Sequence, residues 1–265
     1  MTEQTDVFSA LAADCTEFEK LLSGLHPDLW SEPTPAPRWS IRHQVAHLTA
    51  VFRMAATAAS DPAAFQAMAA SLGPDFDANV TAALHRFLAD AGVMTARWRT
   101  EWTGAVSALS AVPAGTLVPW LVRPIPAPVL AAAGMTELFG HGHDVADTLG
   151  VTPQYTDRIG HIVEFGHRTW DFGYLARDLT PPAAAPRFDL RAPSGARWVL
   201  GADDAETVSG DAVDLCLLIT RRRHRADLGL TASGPEADRW LDIAQAYRGP
   251  AGEGRRPGQF AQVGP

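Results

Sequence analysis

The chain has 265 residues, of which 46% are hydrophobic and 20% charged, a composition typical of globular rather than disordered proteins. Its formal net charge of −8 argues against a nucleic-acid binder, because phosphate binding needs clustered cations and residues 221–225 form the one short basic cluster. The cysteines, Cys15 and Cys216, are too far apart for a disulfide framework or a zinc ribbon. We find no signal-peptide pattern and no apolar run near the roughly 20 residues that span a bilayer, so we expect a cytoplasmic protein without a membrane segment.

Helical periodicity predicts four or five helices in the first two-thirds of the chain. They cover residues 6–25, 41–60, 75–109 (as one helix or two), 128–150 and 155–178. Ser40 is a suitable N-cap for the second, and Gly150 is a natural residue to follow the end of the fourth. Prolines interrupt "VPAGTLVPWLVRPIPAP", which predicts a loop with room for a short extended piece. Short connections between the helices favour an antiparallel bundle.

The pattern changes after about residue 182. The segments "RFDLRAP", "ARWVLGA" and "ETVSG" alternate and are bounded by turn residues, which predicts short strands. Helices are expected at 211–222 and 235–247. We therefore predict a helical domain over residues 1–181, an α+β domain over 182–250 and a flexible, Gly/Pro-rich tail over 251–265.

The stretch "ELFGHGHDVADTLG" (137–150) carries the residues most suited to chemistry. Glu137 and His141 are one helical turn apart, about 5 to 6 Å between Cβ atoms, and Asp144 shares their face while His143 points away. A carboxylate and an imidazole placed in this way could hold a metal ion together with a third ligand. His47 is the best candidate for that third ligand. Asp144 could orient one of the ligands by a hydrogen bond without binding the metal itself. A surface Glu–His hydrogen bond is the alternative, and spacing alone does not decide between them.

Other motifs are excluded or ambiguous. In "HQVAH", Gln44 stands where the HExxH motif of zinc proteases has its general base, so such a protease is not expected. His43 is either a fourth ligand or an exposed polar residue. The chain has no GxSxG, GxGxxG or GxxxxGK[ST] motif, and Cys15 and Cys216 lie in apolar helical contexts that predict buried packing residues.

The segment "PTPAPRWSIRHQVAHL" resembles the "TPAPGW[TS]xxxQxAHL" opening of an actinobacterial metal-binding family related to the mycothiol-dependent maleylpyruvate isomerases, in the DinB-like superfamily. "ELFGHGHDVADTLG" is similar to its "ExxxHGxDVADxLG", and the C-terminal block "VSGDAVDLCLLITRRRHRADLGLTASGPEADRWLDIAQAYRGP" also resembles the family. The resemblance implies an α-helical DinB-like four-helix bundle followed by a small α+β C-terminal domain. It places the ligands of a divalent metal ion, usually zinc, on His47, Glu137 and His141.

The resemblance also implies thiol-dependent isomerisation or thiol transfer on a small electrophilic metabolite. The metal would lower the pKa of mycothiol or of water and polarise a carbonyl. Arg123 is a candidate for holding an anionic group, and Trp98 and Trp120 are candidates for lining the substrate pocket. Two alternatives stay open: a secondary-metabolism tailoring enzyme (cyclase, isomerase or hydratase) using the bundle pocket, and a non-catalytic metal- or ligand-binding module. We expect a monomer or a homodimer.

Overall fold

The computed structural model describes residues 6–260, which divide into two compact units between Pro153 and Gln154. The residues before this point are called the N-terminal unit and the residues after it the C-terminal unit. Helices of the N-terminal unit are α1 (Val7–Ser23), α2 (Ile41–Ser60), α3 (Pro62–Ala70), α4 (Phe76–His85), α5 (Ala91–Ser110) and α6 (Ala127–Leu149). Strands β1 (Leu117–Val118) and β2 (Ile125–Pro126) pair antiparallel within the proline-rich loop. The short extended piece expected in that loop is therefore confirmed.

Local sequence signals mark the ends of these helices, and Ser40 and Gly150 do so where they were predicted to. The Asp6 carboxylate accepts a hydrogen bond from the Ser9 backbone N–H at 3.0 Å and caps α1. The Ser40 backbone N–H donates to Nδ1 of His43 at 3.1 Å at the start of α2. Gly150 follows α6 with φ at +64°, a left-handed conformation that glycine adopts without strain. Helix α3, which was not predicted, begins at Pro62, directly after its N-cap Asp61.

The core of the N-terminal unit lies between its four long helices, since α1 and α2 each pack against both α5 and α6. Trp98 of α5 is fully buried there, with its ring 5.6 Å from that of Phe18 and 4.9 Å from that of Phe52. The prediction that Trp98 lines a substrate pocket is wrong, because a side chain enclosed by core aromatics offers no surface to a ligand. Trp102, one turn later, instead donates its indole N–H to Glu19 at 2.9 Å.

The C-terminal unit combines a four-stranded sheet with short helices. The strands are β3 (Arg187–Arg191), β4 (Arg197–Leu200), β5 (Thr207–Asp211) and β6 (Thr231–Ser233), in the order β4-β3-β5-β6. β3 and β5 are parallel, and the other two pairs are antiparallel. The helices are α7 (Gly160–Arg168), α8 (Phe172–Leu175), α9 (Ala212–Ile219) and α10 (Pro235–Ile243). Phe188 of β3 and Trp240 of α10 pack in its core with ring centroids 5.4 Å apart.

The division between the units falls earlier than the boundary predicted at residues 181/182. The reason is tertiary: α7 packs against α9, so the helical segment after residue 153 belongs with the sheet that follows it. That segment, predicted as one helix over 155–178, consists of α7 and α8 after a 3₁₀ turn.

Part of the segment predicted as a flexible tail makes contacts with the rest of the C-terminal unit. Gly258 donates its N–H to the Asp227 carboxylate at 2.8 Å, and the Arg223 guanidinium lies 3.9 Å from the centre of the Phe260 ring. Residues 261–265 lie outside the described residues. Within residues 6–260, none of the helices has both the length and the apolar character that crossing a bilayer requires.

Candidate metal centre

Three side chains from two packed helices converge in the N-terminal unit. Nε2 of His47, on α2, and Nε2 of His141, on α6, each lie 3.4 Å from the Oε2 atom of Glu137. One nitrogen or oxygen from each residue lies within 4.8 Å of the others. The helical spacing explains half of this arrangement, since Glu137 and His141 are one turn apart on α6. The packing of α2 against α6 explains the rest, because it places His47 next to Glu137.

The cluster is reachable from solvent but not fully exposed. The side chains retain 14% of their accessible surface at His47, 17% at His141 and 31% at Glu137. A buried core cluster would exclude a substrate, whereas fully exposed side chains would be too mobile to hold an ion in fixed geometry. Partial exposure is therefore compatible with a site that both binds an ion and admits a small molecule.

The electrostatics favour an ionised carboxylate at the centre of the cluster. Burial raises the pKa of Glu137, but hydrogen bonds and charges from His141 and His47 outweigh burial and hold that pKa well below its usual range. Glu137 therefore presents the charged form, which is the form that ligates a metal ion. Two imidazole nitrogens and one carboxylate oxygen are a donor set that suits zinc.

Trp39, which the sequence interpretation missed, packs on both histidines. Its ring lies 5.6 Å from that of His141, nearly parallel at 22°, and 5.2 Å from that of His47. The loop before α2 holds it in place, because the Thr34 backbone N–H donates to the Trp39 carbonyl at 2.8 Å. A tryptophan immediately before an N-cap was a weak signal, since its direction depends on a loop conformation that periodicity does not describe.

Gln44 was the second omission. Its side chain is fully buried, and its Oε1 lies 2.6 Å from Nδ1 of His141. A signal was present, because helical spacing puts the polar Gln44 on the same face of α2 as the buried Ile41 and Leu48. Asp144, predicted to support a ligand, is also fully buried and accepts a hydrogen bond from Gln44 Nε2 at 3.3 Å. Gln44 thus links Asp144 to His141.

The remaining predicted residues are not members of the three-residue cluster. His43 caps α2 through Nδ1 and stands outside the three-residue cluster, so it is neither a fourth ligand nor a simple exposed residue. Trp120 stacks on Phe65 with ring centroids 5.6 Å apart. Arg123 is exposed between β1 and β2. His143 is buried and faces Asp147 at 3.5 Å, as expected for a residue pointing away from Glu137.

Comparison with known proteins identifies the family of the chain. Residues 11–146, just over half of the chain, match the family model described as the mycothiol maleylpyruvate isomerase N-terminal domain. The chain belongs to this family. All three clustered residues and Gln44 lie within the matched segment. The actinobacterial, isomerase-related assignment made from the sequence is therefore confirmed.

The chain is also similar to two proteins of Mycobacterium tuberculosis. These are the uncharacterized protein MT0041 of strain CDC 1551 / Oshkosh and the uncharacterized protein Rv0036c of strain ATCC 25618 / H37Rv. Each is 40% identical to this family member over 248 residues, which cover 92% of this chain and 96% of the relative.

Solved structures with a similar fold include the mycothiol-dependent maleylpyruvate isomerase and a histidine-to-alanine mutant of that enzyme. The TM-scores are 0.54 and 0.55, at 14% and 13% sequence identity. In both cases the alignment covers 87% of this chain and 94% of the solved one. A largely helical fold with a small sheet part, like that of the isomerase, is thus common to these proteins.

Proposed function

We propose that this family member is a divalent-metal-dependent enzyme that uses a low-molecular-weight thiol, mycothiol, to isomerise a small electrophilic metabolite or to transfer the thiol to it. The observation that carries the proposal is the convergence of His47, Glu137 and His141. Membership of the isomerase family supports the thiol and the reaction class.

The three clustered side chains would hold the metal ion, for which we propose zinc. A bound zinc ion would lower the pKa of the thiol and polarise a substrate carbonyl. Three protein ligands are typical of catalytic zinc sites, whereas structural sites are closed by four. The engagement of His43 in the α2 cap favours the three-ligand arrangement and hence an enzyme over a non-catalytic binding module.

The protein's own groups have separate tasks in this proposal. Glu137 supplies a negative charge between the two imidazoles, and Trp39 covers one side of both rings and keeps water from that side. We propose that Arg123 binds an anionic group of the substrate and that Trp120 contributes apolar surface. Because Trp98 belongs to the core, it does not line the bundle pocket that the tailoring-enzyme alternative requires. We further propose that α1, α2, α5 and α6 form the DinB-like four-helix bundle.

Metal content tests the site. Protein purified without chelators should carry about one zinc ion per chain by mass spectrometry, and His141→Ala should carry almost none. His85→Ala, which removes an exposed imidazole from the end of α4, is the matched control and should keep its metal. A metal-free wild type, or equal metal in His141→Ala, would overturn the proposal.

Turnover tests the reaction class. Maleylpyruvate, the substrate in the name of the similar isomerase, is a suitable first electrophile. We expect conversion that needs mycothiol, stops when a chelator removes the metal and returns with added zinc. Conversion that persists in chelator would contradict the metal dependence, and conversion without a thiol would contradict the thiol dependence.

A further inference from the structure

A chain of hydrogen bonds lies behind His141, on the side away from Glu137. It starts at the Trp39 backbone carbonyl and passes through the Thr34 hydroxyl and the Gln44 amide to Nδ1 of His141. We call this set the Gln44 chain. Its direction can be worked out from one end, because a carbonyl oxygen can only accept.

The first two links fix the orientation of the Gln44 amide. The Thr34 hydroxyl donates its only proton to the Trp39 carbonyl, 2.9 Å away, so its oxygen must accept from Gln44 at 2.8 Å. The group of Gln44 that faces Thr34 is therefore the NH₂. The same NH₂ lies 3.3 Å from Oδ2 of Asp144, which also accepts. Two independent acceptors thus require the same amide orientation.

The last link fixes the tautomer of His141. Because the NH₂ group of Gln44 donates to Thr34 and Asp144, the group that faces Nδ1 of His141 at 2.6 Å is Oε1. This oxygen cannot donate, so Nδ1 must carry the proton. In the neutral imidazole, Nε2 then bears a lone pair, and Nε2 is the atom that lies 3.4 Å from Oε2 of Glu137. A lone pair and a carboxylate oxygen facing each other attract only if a cation joins them, either a second proton on Nε2, which then donates to Glu137, or a metal ion.

We propose that Gln44 is a positioning residue that holds His141 in the Nδ1–H tautomer and aims its Nε2 lone pair at the site shared with His47 and Glu137. Its effect on metal affinity rests on the proposed function, but the tautomer itself does not. Full burial of Gln44 matters here, because water cannot replace a lost amide at that depth.

Gln44 also connects the two ligand-bearing helices. It lies on α2, three residues before His47, and bonds to His141 and Asp144 on α6. One side chain therefore fixes the rotation of a ligand on α6 from a position on the helix that carries the other histidine. Groups that orient metal-bound histidines in this way typically change metal affinity by about 10- to 100-fold when removed.

Nuclear magnetic resonance and zinc titration of the full chain test the proposal. With ¹⁵N-labelled histidine at pH 8, the zinc-free wild type should show His141 protonated at Nδ1. Gln44→Met keeps the length of the side chain but cannot accept from Nδ1, so His141 should show mixed tautomers. Zinc affinity, measured by competition with a chelating dye, should fall about 10- to 100-fold.

Thr34 supplies a second variant and its control. Thr34→Val removes the acceptor that orients the Gln44 amide and should shift the tautomer and the affinity in the same direction by a smaller factor. Thr34→Ser keeps the hydroxyl and should behave as the wild type. If circular dichroism shows that Gln44→Met does not fold, the comparison of Thr34→Val with Thr34→Ser decides the role of Gln44 alone.

The outcomes separate the two proposals. If the wild type binds no zinc, the proposed function fails, and the tautomer comparison still decides the role of Gln44. If the wild type binds zinc while Gln44→Met keeps both the Nδ1–H tautomer and the wild-type affinity, the role of Gln44 is refuted. An Nε2–H tautomer in the zinc-free wild type would refute it directly.

Discussion

Glu137→Gln should remove most of the zinc dependence of thermal stability. The substitution keeps the shape of the side chain but removes its charge, and amides are poorer zinc ligands than carboxylates. All three clustered side chains lie in the N-terminal unit, so zinc binding should stabilise that unit directly.

The size of the effect follows from linkage. A ligand at 100 times its Kd stabilises the folded state by about 2.7 kcal/mol. In a unit of about 150 residues, each 1 kcal/mol shifts Tm by about 2–4 °C, so zinc should raise the wild-type Tm by about 5–10 °C. Structural zinc sites gain about 10–16 kcal/mol from four ligands, or about 3 kcal/mol each, so losing one ligand costs about 100-fold in affinity. At the same zinc concentration the variant should gain only about 0.4 kcal/mol, or about 1–2 °C.

Differential scanning calorimetry in chelator and in zinc gives the shift for each variant against its own baseline. Glu17→Gln removes the same charge from an exposed position on α1 and should keep the wild-type shift. The reasoning is refuted if zinc leaves the wild-type Tm unchanged, or if Glu137→Gln shows the full wild-type shift.

Three further predictions concern parts of the chain outside the cluster. Trp98→Ala should lower the free energy of unfolding by about 3–5 kcal/mol in urea titrations, because it empties a fully buried site; a loss below about 1 kcal/mol would contradict its place in the core. His43→Ala should cost about 1 kcal/mol by removing the acceptor for the Ser40 N–H while zinc content stays the same; loss of zinc would restore it as a ligand. Burial raises the pKa of both Cys15 and Cys216, so a thiol reagent at pH 8 should label them only after unfolding; labelling of the native protein at the rate of a free thiol would disprove their burial.

The sequence predicted the elements whose ends carry side-chain signals. Helices α2 and α6 lie where Ser40 and Gly150 placed their ends, and three of the four strands of the C-terminal sheet were recognised from alternation. The strand β6 was missed because three residues are too few to show a period. The division between the units differed from the prediction because α7 packs against α9, and helical periodicity does not predict which helices pack together.

The candidate site was predictable in its ligands but not in their surroundings. Glu137 and His141 share a helix face by spacing alone. His47 was the candidate third ligand from its place on its own helix, and the family resemblance put it in the same ligand set. Trp39 and Gln44 could not be placed in the same way, because each acts across a loop or a helix interface. Trp98 shows the opposite error, since tryptophans spaced by a turn occur both in cores and in pockets and only burial separates the two cases.

The separation of the ligands along the chain has a consequence for the unfolded protein. His47 and Glu137 are 90 residues apart, so an ion held by both would close a long loop. In the chain-entropy view, keeping a loop of roughly this length closed in the denatured chain would cost on the order of 4–5 kcal/mol, so the ion should dissociate when the N-terminal unit unfolds. Both cysteines are buried and unpaired, so the N-terminal unit would obtain from zinc the kind of cross-link that secreted proteins obtain from a disulfide. Unlike a disulfide, this cross-link could be removed by a chelator and restored without any redox chemistry.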